Sequence, residues 1–244
     1  MKIALIGYGK MGKAIEGIAL QKGHDIALKI DRKNRDTLTI REVQTADVAI
    51  EFSRPETAFD NIAFCLNAGV PVVSGTTAWL DRLGEARTLC RQTGGAFLYA
   101  SNFSIGVNIF FALNRHLAAM MKSQNQYDVV MEEIHHTQKL DAPSGTAITL
   151  AEGILSELSR KKKWVCVEGE GGAPAPVPGE ILIASKRRGR VPGTHIVNWE
   201  SSVDSIEIRH TAHSREGFAA GALAAAEWLV GKRGCFEMKD MLGF

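Results

Sequence analysis

Apolar and polar positions alternate in blocks through the first hundred residues. Residues 2–6 form a short apolar run that ends in glycine, the pattern of a buried strand. Residues 11–22 then carry Met11, Ile15, Ile18 and Ala19 at helical spacing. Residues 25–30, 47–52, 70–74 and 96–99 repeat the strand pattern, and helical stretches near 56–67 and 79–91 separate them. This alternation predicts an α/β domain: a Rossmann-like parallel sheet with helices on both faces.

The pattern changes after Asn102. A long helix over about 105–121 leads into a strand over 127–134, then a helix over about 144–160. Residues 164–167, 180–185, 195–200 and 203–210 read as antiparallel strands, which predicts a smaller second domain of α+β type. Residues 169–179 are rich in glycine and proline and read as a mobile loop. A final alanine-rich helix spans about 214–230.

Composition narrows the function classes. With 244 residues, 45% hydrophobic and 23% charged, the chain can bury a core without staples, and neither disorder nor coiled coil fits. A net charge of +2 supplies no general attraction to nucleic acid or to a membrane. The amino terminus has no signal-peptide layout. The most apolar segment, 103–121, is interrupted by Asn108, Asn114, Arg115 and His116, so it reads as a buried helix rather than a membrane span. Cys65, Cys90, Cys166 and Cys235 are scattered and read as small core residues of a reducing compartment. A cytoplasmic location is expected. The 24 glycines exceed the usual ~7%, which makes their positions informative.

Gly7-Tyr8-Gly9-Lys10-Met11-Gly12 is GxGxxG after the first strand and before the first helix. There the glycines permit a tight turn and close approach of pyrophosphate to backbone N–H groups. Asp31 ends the second strand, where a carboxylate accepts from ribose hydroxyls, and Arg32 offers a cation to a 2′-phosphate instead. The competing reading is a tight turn that holds no ligand. Gly75-Thr76-Thr77 and Ala100-Ser101-Asn102-Phe103 follow later strands, at the edge where a nicotinamide would lie.

The strongest local cluster is 133–147, EIHHTQKLDAPSGTA, from a strand end to a helix start. Ser144, Gly145 and Thr146 would expose helix N–H groups to an anion, and His136 and Lys139 add donors nearby. His135 or Lys139 would supply a proton. Adjacent strand histidines face opposite ways, so a packing role for one of them competes with chemistry. A metal reading lacks a third ligand at helical spacing, and no metal is expected. The run Lys186-Arg187-Arg188-Gly189-Arg190 reads as a solvated loop or as a cover for an anionic substrate. Lys161-Lys162-Lys163 reads as a helix C-terminus. His210, His213 and Arg215 lie near a strand-to-helix junction, with structural roles at least as expected as substrate contacts.

With these segments together, the chain resembles the dihydrodipicolinate reductase family over nearly its whole length. The carrying stretches are GYGKMG (7–12), EFSRPE (51–56), SGTT (74–77), NFSIGVN (102–108), EIHHTQKLDAPSGTA (133–147), RxGxVPGTH (188–195) and HTAHSREGFAAGAL (210–223). The resemblance implies a dinucleotide-binding domain over 1–104, rejoined by 216–244. It also implies a substrate-binding and tetramerisation domain over 105–215. The implied activity is NADH- or NADPH-dependent reduction of 4-hydroxy-tetrahydrodipicolinate, a small cyclic dicarboxylate, with a homotetramer as the expected assembly. His135 matches the family's proton donor and Lys139 its catalytic lysine. His136, Gly145 and Thr146 match substrate carboxylate contacts. Residues 7–12, Asp31, Arg32, 75–77 and 100–103 match cofactor contacts. Two departures stand out: Ile6 where the family's first glycine aligns, and Asp31 where glutamate is common. Another Rossmann oxidoreductase and a non-enzymatic nucleotide sensor are the rival readings of the scaffold.

Overall fold

The structure, a computed structural model, describes residues 1–169, 175, 177–214 and 216–244. In chain order the elements are β1 (Lys2–Ile6), α1 (Lys10–Gln21), β2 (Asp25–Ile30), α2 (Ile40–Val43), β3 (Val48–Glu51), α3 (Pro55–Asn67), β4 (Val72–Ser74), α4 (Leu83–Thr93), β5 (Ala96–Tyr99), α5 (Ile105–Met120), β6 (Asp128–His135), α6 (Gly145–Glu157), β7 (Lys163–Glu168), β8 (Glu180–Arg187), β9 (Gly193–Glu200), β10 (Ser205–Ala212), α7 (Glu216–Leu229), β11 (Gly234–Phe236) and α8 (Met238–Leu242). The chain forms two compact units, Met1–Ile105 with Glu216–Phe244, and Gly106–Arg215.

The first unit is a parallel sheet in the order β11-β5-β4-β3-β1-β2. Period-2 alternation sorts its side chains into two cores. Ile3 and Leu5 of β1 join Ile15, Val48, Ile50, Leu98 and the alanines of α7 on one face. Ala4 and Ile6 join Ile62, Cys65, Leu66, Trp79 and Phe97 on the other. Burial on both faces explains why these strands read as continuous apolar runs. The sequence pattern missed β11, because three half-buried residues carry too little periodicity to see.

The second unit holds a five-stranded sheet in the order β10-β9-β6-β8-β7. Here the expectation of antiparallel strands needs correction. β9 runs antiparallel to β6 and β10, but β8 is parallel to both β6 and β7. β6 and β7 are linked through α6, and β7 and β8 through residues 169–179, connections long enough to bring the chain back to the same end of the sheet. One face packs on α5 and α6 through Phe110, Leu117, Leu150, Ile154, Met131, Ile183 and Trp199. α5 is amphipathic rather than wholly buried, since Ile109 and Leu113 are about half exposed at 49% and 47%. Among the described residues, no helix is long and apolar enough to cross a membrane.

Three smaller expectations also change. α6 ends at Glu157, and Lys161 is buried, with its Nζ 2.5 Å from Asp128 Oδ1 and bonded to the carbonyls of Val177 and Glu180. It is a structural cation rather than a dipole cap. Cys65 and Cys90 are buried as expected, but Cys166 and Cys235 are partly exposed. Most of the glycine- and proline-rich loop, 170–174 and 176, lies outside the described residues, as does Arg215.

Candidate active site

In the first unit, strand order reverses direction between β1 and β3, and ligands of open α/β sheets bind outside the strand carboxyl ends at such a point. The glycine turn sits there. Gly7 has φ +94°, and a Cβ on it would stand 1.9 Å from the Phe52 carbonyl oxygen. The N–H groups of Gly7 and Tyr8 both donate to the Ile30 carbonyl, which pins the turn to β2. The Tyr8 hydroxyl donates to Glu16, itself paired with Lys29, so the ring is drawn back along α1. Gly9 and Lys10 remain exposed, and a Cβ on Gly9 would meet nothing within 4 Å. α1 has no acidic residue in its first turn, so its free N–H groups and positive dipole end face open space. A pyrophosphate fits this cradle.

Asp31 and Arg32 follow β2 and are exposed. One Asp31 carboxylate oxygen accepts from the Lys33 N–H at 2.7 Å. Gly75 lies under the Phe52 ring, where a Cβ would fall 2.1 Å from a ring carbon. Thr77 and Ser101 are exposed, whereas Met11, Gly12, Ala100 and Phe103 turn toward the core. Phe103 packs on Phe52 with ring centroids 5.7 Å apart.

Sequence reading missed Glu51, although its segment was singled out. The last residue of β3, it is fully buried. Its Oε1 accepts from the Ser53 N–H at 2.9 Å, from the Ser53 hydroxyl and from the Thr76 hydroxyl at 2.8 Å. Its Oε2 accepts from the Ser74 hydroxyl at 2.6 Å. The Thr76 side chain is therefore spent inward. This carboxyl ties the loops after β3 and β4 together. Burial pushes its pKa up, and the bonds from Ser53, Ser74 and Thr76 only partly offset that. A carboxyl raised in the fold favours its neutral form there, so wild-type stability falls as pH rises from the unfolded value toward the folded one. Glu51→Gln keeps the acceptor oxygen and can donate to Ser74. Its denaturation midpoint is expected to gain on the wild type across that rise. Glu51→Ala is expected to lose about 2–3 kcal/mol by stranding buried donors. Equal pH slopes for wild type and Glu51→Gln would contradict the account.

The second unit gathers the HHxxK segment by register. β6 alternates, so Val129, Met131, Glu133 and His135 share its core-facing side. Ser185 of β8 and His195 of β9 flank Glu133, while Arg187 stands beside His135. Glu133 Oε1 accepts from the Ser185 hydroxyl at 2.6 Å and from Arg187 at 3.2 Å. Its Oε2 lies 3.0 Å from His135 Nδ1 and 3.8 Å from His195 Nε2. Burial opposes ionisation of Glu133, but contacts with His135, Ser144 and Ser185 outweigh it and hold the carboxyl well below its usual range. His195 is pushed down to about 3, first by burial and then by the charge of His135. Both causes favour its neutral form.

Arg187 also donates to the carbonyls of Lys139 and Asp141, which folds the 136–141 loop back on the strand end. Lys139 Nζ lies 2.7 Å from both oxygens of Asp141, and this ammonium lowers the Asp141 pKa. So the basic run is not a solvated loop throughout. Lys186 is buried against Glu132 at 2.6 Å, Arg187 braces the loop, and Arg188 and Arg190 are exposed in the turn. Ser144 caps α6, accepting from the Ala147 N–H at 3.2 Å. Gly145 is exposed with no neighbour within 4 Å of a Cβ position, Thr146 is half-buried, and α6 has no acidic residue in its first turn. That end suits a carboxylate. His136 borders a cavity of about 630 Å3 lined also by Thr137, Gln138, Gly189, Arg190 and Pro192. His135 and Lys139 are not among those lining residues. His210 lies in β10 and packs on Phe110 with ring centroids 6.0 Å apart, a packing role.

The third group that spacing did not offer for a metal is His195. Glu133, His135 and His195 place one ligand atom each within 4.8 Å of one another. Arg187 on the same carboxylate and Lys139 nearby set positive charge against a cation.

The family model for the dihydrodipicolinate reductase N-terminus matches residues 1–103, and that for the C-terminus matches residues 106–242. The chain belongs to the dihydrodipicolinate reductase family. A relative from Christiangramia forsetii, named 4-hydroxy-tetrahydrodipicolinate reductase, is 53% identical over 244 residues, covering 99% of this chain and 98% of its own. One of the same name from Neisseria meningitidis serogroup C is 37% identical, covering 93% and 84%. The solved dipicolinate-bound dihydrodipicolinate reductase from Paenisporosarcina sp. TG-14 superposes with TM-score 0.79 at 20% identity, covering 99% of both chains. An amine dehydrogenase from Mycobacterium smegmatis reaches 0.57 at 10% identity, covering 96% and 93%. Dihydrodipicolinate reductase sequence and fold thus coincide along the whole chain.

Proposed function

We propose that this chain reduces 4-hydroxy-tetrahydrodipicolinate to tetrahydrodipicolinate and water, in the route to diaminopimelate and lysine. The observation that carries the reading is the HHxxKxDAPSGT segment. His135 ends β6, and Lys139 follows on a braced loop that leads into the open N-terminus of α6. The glycine turn and α1 would hold the pyrophosphate, Asp31 and Arg32 the adenosine ribose, and the loops at 75–77 and 100–103 the nicotinamide. A reduced nicotinamide, when bound, supplies a hydride.

The chain's own residues do the rest. His136 and the N–H groups and hydroxyl of Gly145 and Thr146 hold a substrate carboxylate. Loss of water from the hydroxylated ring leaves a conjugated imine, and hydride adds at the carbon that bore the hydroxyl. The resulting enamine takes a proton from His135 or Lys139. The Lys139 ammonium also offsets the negative charge that grows as hydride arrives. The reading includes a cytoplasmic homotetramer assembled through the second unit. A coupled assay with freshly generated substrate and each cofactor in turn tests the activity. No nicotinamide oxidation with either cofactor would refute it.

Asp31 favours a free ribose, while Arg32 and Lys33 favour a 2′-phosphate. Both NADH and NADPH are therefore expected to serve. A measured preference beyond about a hundredfold, roughly 2.7 kcal/mol, would overturn dual use.

A further inference from the structure

Glu133 has no place in the chemistry above, yet side chains from three strands converge on it. It is fully buried, and an isolated ionised carboxylate is costly there. Sequence alternation puts it two residues before His135 on the same face of β6. Ser185 and Arg187 occupy its Oε1, which leaves Oε2 for the two histidines. His135 is itself only 7% exposed, and its ring lies edge-on to His195, centroids 5.1 Å apart. Its other nitrogen, Nε2, faces Gly193, at 3.0 Å from where a Cβ would stand.

We infer that Glu133 is a positioning residue for His135: it fixes the ring with Nδ1–H toward the carboxylate and leaves Nε2 as the atom that exchanges a proton with substrate. This rests on the proposed reductase reading, which it deepens. The 3.0 Å contact is an ion-pair distance without the alignment of a full hydrogen bond. Such contacts commonly tighten only when substrate binds. His195 supports the arrangement from β9. Its Nε2 is 3.0 Å from the Ser144 hydroxyl, which ties the carboxylate cluster to the cap of α6. Carboxylate, imidazole and substrate atom would then stand in line, with the carboxylate choosing the tautomer and steadying the ring as it carries charge. Arg187 couples the same carboxylate to the Lys139 loop, so one buried anion orients both candidate proton donors. Gly193 leaves room in front of Nε2 that any side chain would fill.

Two measurements test this. Nitrogen-15 NMR of histidine-labelled wild-type protein, with His135 assigned by its loss in His135→Gln, is expected to show the neutral ring protonated on Nδ1. A ring protonated on Nε2 overturns the inference. In steady-state kinetics, Glu133→Gln is expected to lower kcat about a hundredfold with the substrate KM within about threefold, and Glu133→Asp to recover part of the loss. Unchanged kcat in Glu133→Gln overturns it, as does a loss carried by KM alone. The NMR result does not depend on any variant of Glu133 folding. Absence of turnover in the wild type would refute the reductase reading and leave the tautomer result standing on its own.

Discussion

His135→Ala is expected to lower kcat by about 10²- to 10⁴-fold, the range for loss of a general acid, while NADH affinity stays unchanged. The ring stands at the end of β6 beside Glu133 and His195, and the turn proposed to bind pyrophosphate draws on none of these residues. Lys139→Ala is expected to fall in the same range. It removes both an ammonium and the partner of Asp141. The measurement is stopped-flow turnover beside cofactor titration by fluorescence. If one variant loses far more than the other, the weaker of the two serves mainly to hold substrate. Turnover unchanged in both would sink the assignment of the proton donors.

Gly7→Ala is expected to abolish cofactor binding and to destabilise the protein by about 3 kcal/mol or more. A φ of +94° is costly for any residue with a Cβ, and here the Cβ would also lie inside the Phe52 carbonyl. The backbone of the turn would have to move away from β3, which breaks the two bonds to Ile30 and displaces the N–H groups of the α1 turn. A neighbouring change gives the control. Gly9→Ala meets no atom within 4 Å, so it should fold normally and weaken cofactor binding alone. Wild-type stability and affinity in Gly7→Ala would show that the turn is not built as described. The departure from the family at Ile6 fits this picture. Ile6 is a buried strand residue in one core, and Gly7 carries the left-handed conformation that starts the turn.

Much of this protein was legible along the chain. The central strands of the first sheet, β1, β3, β4 and β5, are buried on both faces, so their apolar runs stand out without any partner being known. The glycine turn, Asp31 and the HHxxKxDAPSGT segment are contiguous, and contiguous motifs need no register to be seen. Residues whose meaning depends on a neighbouring strand were not legible. Ser185, Arg187 and His195 lie 52, 54 and 62 positions from Glu133 in numbering, and nothing in local spacing joins them. The same limit hid Glu51, which needed Ser74 and Thr76 to become a hydrogen-bonded carboxyl rather than an odd polar residue in an apolar strand. It also misplaced Lys161 and Lys186, whose burial depends on partners contributed by β6 and by the stretch around Val177–Glu180.

Strand direction failed for a related reason. Period-2 alternation reports which face a residue occupies but not which way its neighbour runs, and β8 runs parallel to both β6 and β7. The sequence by itself determined most of the elements, the two kinds of architecture and the segment proposed to react, because those rest on spacing within one stretch of chain. Only the tertiary structure decided what surrounds His135. A buried carboxylate is tolerable only where donors from other strands converge on it, and sheet register alone sets which donors those are.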